Sequence, residues 1–141
     1  MLFSVSRKCE YALRAILTLA LRRNDEAVSS HRIAADHSLP QRFLEVILSE
    51  LRQGGFVESR RGNAGGYVLA KPASQILIGQ IVSFIEGSRQ EAQNGESDDA
   101  LDSLWSRVDK AVTDVLYSTT LADLAKEQKQ LNRAYIPNYA I

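Results

Sequence analysis

Two short stretches gather side chains able to read a polyanion. In "RRGNAGGYVLA", residues 60–70, Arg60 and Arg61 precede Gly62, Gly65 and Gly66, and an alternating apolar run follows. Clustered glycines lose much conformational freedom on folding, so this run implies a bare, tightly turned backbone held beside positive charge. In "PQRFLEVILSELRQ", residues 40–53, the 3–4 spacing puts Phe43, Leu44, Ile47, Leu48 and Leu51 on one helical stripe, with Gln41, Arg42 and Glu45 on the opposite face. Gln and Arg match purine edges, and Glu accepts from the cytosine amine. A nucleotide-phosphate loop is the alternative for the glycine run. Such a loop follows a strand, opens a helix and carries Lys-Ser or Lys-Thr after its last glycine, and neither condition is met. No nucleophile–base arrangement or metal-ligand set is present, so no enzymatic activity, metal or cofactor is expected. His31 and His37 lack the four-residue spacing that would bring both to one ion and read as surface or capping groups. Cys9 lies beside an apolar helix face and reads as a small core residue rather than a sensor thiol.

The elements that position these residues are legible from period and punctuation. A first helix covers roughly residues 7–23, with Tyr11, Leu13, Ala15, Ile16, Leu17, Leu19 and Ala20 on its apolar face. Ser29 or Ser30 caps a short second helix over "HRIAADH", which turns Ile33 and Ala34 inward. "SLP" makes a turn, Pro40 suits the first turn of the third helix, and Gly54-Gly55 ends that helix. Two short helices joined by a tight turn, the second with a polar outer face, form a helix-turn-helix. "FVES" (56–59) and "GYVLA" (66–70) then read as two strands with the arginine-glycine stretch at their tip. The expected fold is therefore mainly α with a small β-hairpin: a winged helix-turn-helix followed by a long C-terminal dimerisation helix. "ILIGQIVSFIEG" (76–87) reads as an amphipathic helix packed under the wing, and residues 88–100 as a polar, acidic loop. From about 99 to 117, Leu101, Leu104, Trp105, Val108, Val112, Val115 and Leu116 make one apolar seam. Either a second subunit covers it or it folds back on its own domain; the dimer is favoured because two-fold DNA readers need one. The expected division is residues 1–87 as the winged domain, 88–98 as a flexible acidic loop, and 99–141 as dimerisation helix and tail.

Charge divides along the same line. The chain carries 17 basic and 17 acidic residues, yet residues 1–72 hold 11 Lys and Arg against 7 Asp and Glu, and residues 73–141 hold 6 against 10. Only the first half suits a polyanion. The longest apolar run, "YALRAILTLAL", is broken by Arg14 and is too short for a bilayer, so no membrane partner and a cytoplasmic location are expected. A single cysteine agrees with a reducing compartment.

"SRKCEYALRAILTLA", "IAADHSLPQRFLEVILSELRQGGFVESRRGNAGGYVLA" and "STTLADL" together resemble the Rrf-two family of bacterial transcription regulators, from about Ser6 to Leu124. The resemblance implies a homodimeric DNA-binding regulator, read here as a repressor, that binds an imperfect palindrome in double-stranded DNA. By position it puts Pro40, Gln41, Arg42, Phe43 and Glu45 at the DNA-facing start of the recognition helix, with Arg61, Gly62 and Gly65 in the wing. An arginine on a bare turn fits the narrow, negative minor groove of an A·T-rich flank. Arg60, Arg7 and Lys8 suit phosphates, which position without specifying, and Ser29 is also expected at the DNA interface. Taken singly, Arg42 and Glu45 read better as a solvated helix face; set in a helix-turn-helix beside the wing, they read as DNA contacts. Cluster-binding members of the family place three cysteines in the loop corresponding to residues 88–100; this loop has none, and Asp98, Asp99 and Asp102 are poor substitutes for thiolates. The chain therefore resembles the cluster-free branch that regulates cysteine metabolism.

The terminal "AYIPNYAI", residues 134–141, contains Pro137 and reads as an extended strip with Tyr135, Ile136, Tyr139 and Ile141. Its tyrosines either pack on the dimer or are offered to a partner. The resemblance implies a partner of the second kind, a cysteine synthase that captures the isoleucine-terminated tail through Tyr139 and Ile141. Two alternatives remain: a regulator gated by a small molecule or by thiol redox, and a winged-helix protein-interaction module.

Overall fold

Ser6 is extended and its Oγ accepts from the Cys9 amide at 3.1 Å, which starts helix α1 (Arg7–Ala20). The computed structural model describes residues 4–22, 26–63, 65–87 and 99–135, and the first helix ends three residues short of the expected 23. Cys9, Ala12, Ala15, Ile16 and Leu19 form its buried face. Of the two candidate caps for α2 (Ser30–His37), Ser29 is the one used, accepting from the Arg32 amide at 3.1 Å. Ser38 ends that helix in the left-handed conformation, φ 55°, and so makes the tight turn. Pro40 stands at the N-cap of α3 (Gln41–Gln53) rather than inside its first turn. Leu44, Ile47, Leu48 and Leu51 are buried as the stripe predicts. Phe43 falls off the stripe: it is 37% exposed and its ring meets Tyr11 edge-on, with centroids 5.8 Å apart.

The hairpin pairs β1 (Val57–Arg60) with β2 (Gly66–Leu69) antiparallel, from Val57 opposite Leu69 to Arg60 opposite Gly66. Strand β1 is shifted one residue from the expected 56–59. A third segment joins it: Val28 exchanges both backbone hydrogen bonds with Tyr67, at 3.0 and 2.9 Å. This explains the glycine cluster. At Gly66, φ is +149° and a side chain would stand 2.5 Å from the Val28 carbonyl; at Gly65 it would stand 2.5 Å from the Arg60 carbonyl oxygen. Backbone fills the space in both cases.

A turn of 3-10 helix (Ala73–Gln75) leads to α4 (Ile78–Glu86). The helix starts two residues later than the expected 76, because Ile76 and Leu77 are extended and pair with the chain beyond the next helix. The Ile78 amide donates to the Thr119 carbonyl at 2.9 Å and the Leu121 amide to that of Ile76 at 2.8 Å. Instead of lying under the wing, α4 packs on α1 and on α5 (Ala100–Ser118), and it touches the hairpin's base where Phe84 meets Phe56 edge-on. Asp99 caps α5, its Oδ1 accepting from the Asp102 amide at 2.8 Å. Beyond α5 the chain makes a further helix outside the expected elements, α6 (Leu121–Tyr135). Leu121 and Ala125 are buried, and α6 packs on α1 and on the turn at 73–75. The expected arm of residues 99–141 thus divides: α5 lies along α4 with no residue fully buried, while α6 returns to the core of the first 87 residues. Among the described residues no helix is long and apolar enough to cross a membrane.

Candidate nucleic-acid interface

Helix α3 offers one face to the core and the other to solvent. Gln41, Arg42 and Glu45 are exposed on the outer face, as expected, and so is Val46 at 51%. Val46 is not among the face residues expected from the helical spacing. Its signal was an apolar residue off the buried stripe, a type that contacts the thymine methyl group in a major groove. Gln41 and Glu45 are joined: Gln41 Nε2 donates to Glu45 Oε1 at 3.2 Å and to Ser30 Oγ at 3.4 Å, and Ser30 Oγ donates to Glu45 Oε1 at 3.3 Å. His31 Nδ1 stands 3.3 Å from Gln41 Oε1.

At the hairpin tip Arg61, Gly62 and Asn63 are exposed, and the Gly65 amide donates to the Gly62 carbonyl at 2.9 Å to close the turn. Gly62 adopts φ +111°, and together with Gly65 it shapes the loop that carries Arg61. Below the tip a cleft of about 480 Å³ is walled by Arg22, Arg32, Arg60, Ser29 and Asn63, with Glu26 also on its wall. Arg22 and Arg32 were not candidates from sequence. They come from the bend after α1 and the first turn of α2, and only folding sets them beside Arg60. Three guanidinium groups around the N-terminus of α2 favour a phosphate oxygen there.

Lys8 Nζ lies 2.7 Å from Glu50 Oε1, with both side chains about one-third exposed, so it braces α1 against α3. Arg7 is exposed at the first position of α1. Phe43 is tied to Tyr11, and Pro40 is exposed at its N-cap.

Cys9 is fully buried, and desolvation, helped by the negative charge of Glu86, pushes its thiol up to about 11. His37 Nε2 is 2.7 Å from Thr18 Oγ1, a link between α2 and α1. Among the described residues no group of three His, Cys, Asp or Glu could hold a metal ion. On α5, Leu101 (60%), Val115 (62%), Leu104 and Trp105 are exposed, while Val108, Val112 and Leu116 are half-buried in the single chain. The expected acidic loop at 88–98 and the tail residues Tyr139 and Ile141 lie outside the described residues.

Two short helices about a left-handed turn, then an antiparallel hairpin with an arginine at its tip, define a winged helix-turn-helix regulator of transcription. The chain belongs to the Rrf2 family: the family's sequence model, described as an iron-dependent transcriptional regulator, matches residues 5–127. It is 36% identical to the transcriptional regulator CymR of Bacillus subtilis over 133 residues, covering 94% of this chain and 96% of that protein. It is 31% identical to the regulator IscR of Pectobacterium atrosepticum, covering 92% and 84%. The solved structure of B. subtilis CymR, described as the global cysteine regulator of that organism, superposes with a TM-score of 0.83 over 89% of this chain and 98% of that one. The structure of T. potens IscR gives 0.79 over 92% and 90% at 34% identity. These relatives regulate transcription and are not enzymes, and the same holds for this chain. An iron–sulphur cluster does not fit the residues present: such clusters need several thiolates, and this chain's one cysteine is buried in α1 with its proton firmly held.

Proposed function

We infer that this protein is a homodimeric, cluster-free repressor that lays α3 in the major groove of each half of an imperfect palindrome and the Arg61 hairpin in the flanking minor groove. The observation that carries this reading is the two-faced character of α3, whose Leu44, Ile47, Leu48 and Leu51 are buried while Gln41, Arg42, Glu45 and Val46 stand open on the other side. Arg7 and the cleft of Arg22, Arg32 and Arg60, with Ser29 at its wall, hold the backbone phosphates. The exposed part of the α5 seam, Leu101, Leu104, Trp105 and Val115, joins the two subunits.

The test is selection of the full-length protein on a randomised duplex pool. Two half-sites related by a two-fold axis should be enriched, with a spacing of whole helical turns. Arg61→Ala should weaken binding to the selected duplex by about 1–3 kcal/mol, the worth of one good DNA contact. A pool that enriches no motif, or an Arg61→Ala protein of unchanged affinity, would contradict the respective parts of the reading.

Control of cysteine metabolism is supported by the likeness to CymR. On the same support, Tyr139 and Ile141 form a tail captured by a cysteine synthase. Calorimetry with the host's cysteine synthase should give a heat of binding that vanishes on deleting Ile141, and a titration without heat would sink the tail's role.

A further inference from the structure

The bonds around Gln41 fix more than contact. A carboxylate only accepts, so the end of the Gln41 amide that meets Glu45 Oε1 must be the NH₂ group. Its carbonyl is thereby turned to His31, 3.3 Å away, and Nδ1 of that ring must carry the hydrogen and donate. Both hydrogens of the Gln41 NH₂ are engaged, one by Glu45 and one by Ser30. Glu45 receives two donors, Gln41 Nε2 and Ser30 Oγ, on the same oxygen, Oε1. Oε2 is the oxygen left to accept from a base. Gln41, the residue best suited by type to read adenine, thus has its amide committed within the protein.

We propose that His31 is a specificity-determining positioning residue: through Gln41 it locks Glu45 into the orientation that reads a base pair, and Gln41 is a bracket rather than a reader. This rests on the proposed function, since it presumes that the outer face of α3 enters the major groove. A free glutamate has several rotamers, and ordering one on DNA opposes binding. With His31 donating to its carbonyl, the Gln41 amide cannot turn over without setting that carbonyl against the Glu45 carboxylate. His31 and Ser30 are the first two residues of α2, so the packing of α2 on α3 sets the aim of the reading side chain. An acceptor held in the major groove prefers the exocyclic amine of cytosine or adenine.

The experiment is selection on the randomised duplex pool at one fixed salt concentration, followed by base preference at each position. Glu45→Ala first marks the base pair that Glu45 reads, by flattening the preference there. His31→Ala should flatten the same position by about fivefold to tenfold. The other positions and the affinity for a scrambled duplex should stay unchanged. Gln41→Ala should give the same profile, and the double variant no more than either single one, because both break one chain of bonds. His31→Gln, whose amide can donate to Gln41, should restore the preference. Three outcomes overturn the inference: a His31→Ala profile equal to wild type, a loss spread evenly over all positions, or a Gln41→Ala loss at a different base pair from that of Glu45. A wild-type selection without any enriched motif sinks the DNA reading and this inference together, whereas a motif that His31→Ala keeps unchanged, the Glu45 position included, sinks this inference alone.

Discussion

Cys9 shows how far a residue's own chemistry can be read from its neighbours in the sequence. It follows Lys8 in a helix whose apolar positions recur beside it, and a core thiol was the expectation; the side chain is fully buried. With its thiol pushed up to about 11 from an ordinary 9.0, about one molecule in a thousand carries the thiolate at pH 8, against about one in ten for an exposed thiol. Ellman's reagent should therefore leave the native protein unmodified over minutes at pH 8 and take up one equivalent in denaturant; fast native labelling would reopen thiol redox as the signal. Lys8 beside it has an ion-pair partner that its sequence neighbourhood does not show. Its partner, Glu50, lies 42 positions away, and only the packing of α1 on α3 brings the charges together. The His31–Gln41–Glu45 chain escaped for the same reason, and Ser29 did not, because a cap acts within three residues.

Elements whose partners are adjacent in the chain were legible: α2, the turn at Ser38, α3 and the hairpin all follow from local period and glycine placement. What joins distant segments was not. Val28 pairing with Tyr67, and Leu77 with Thr120, are two isolated bridges without a strand pattern of their own. Helix α6 was missed although it announces itself in "TLAD". The Thr120 amide donates to Asp123 Oδ2 at 2.9 Å, and the Asp123 amide to Thr120 Oγ1 at 3.0 Å, a reciprocal cap. The backbone bond from Thr120, then its hydroxyl contact, hold the Asp123 carboxyl below its ordinary 3.8. A group whose folded value is depressed stabilises the fold fully above the unfolded value and loses that contribution as pH falls through the folded one. Asp123→Asn should accordingly lower the melting temperature at pH 6 and show a shallower loss of stability below pH 3.8 than the wild type. Parallel acid limbs in the two proteins would mean that the cap contributes nothing.

At the scale of the whole molecule, charge and apolar surface point to one assembly. The basic excess sits in residues 1–72 with α3 and the hairpin, and the acidic excess in residues 73–141 with α5, so a pairing through α5 keeps two basic winged domains available to one duplex. The structure also decides where that pairing should be attacked. Val108 and Val112 are half-buried in the single chain on a helix that packs against α4, and a charge there would disturb the fold as well as any partner. Leu104 and Trp105, at 37% and 38% exposure, are more open. An apolar pair left open on a helix with no buried residue of its own is a surface that the proposed second subunit would cover. Placing Asp at both Leu104 and Trp105 sets four carboxylates into the proposed two-fold seam, where unpaired charges are strongly disfavoured. Sedimentation should then give a monomer, circular dichroism should give the wild-type helix content, and binding to the selected palindrome should fall much more than binding to an isolated half-site. An intact dimer in the double variant would put the subunit contact elsewhere and leave the open face of α5 for another partner.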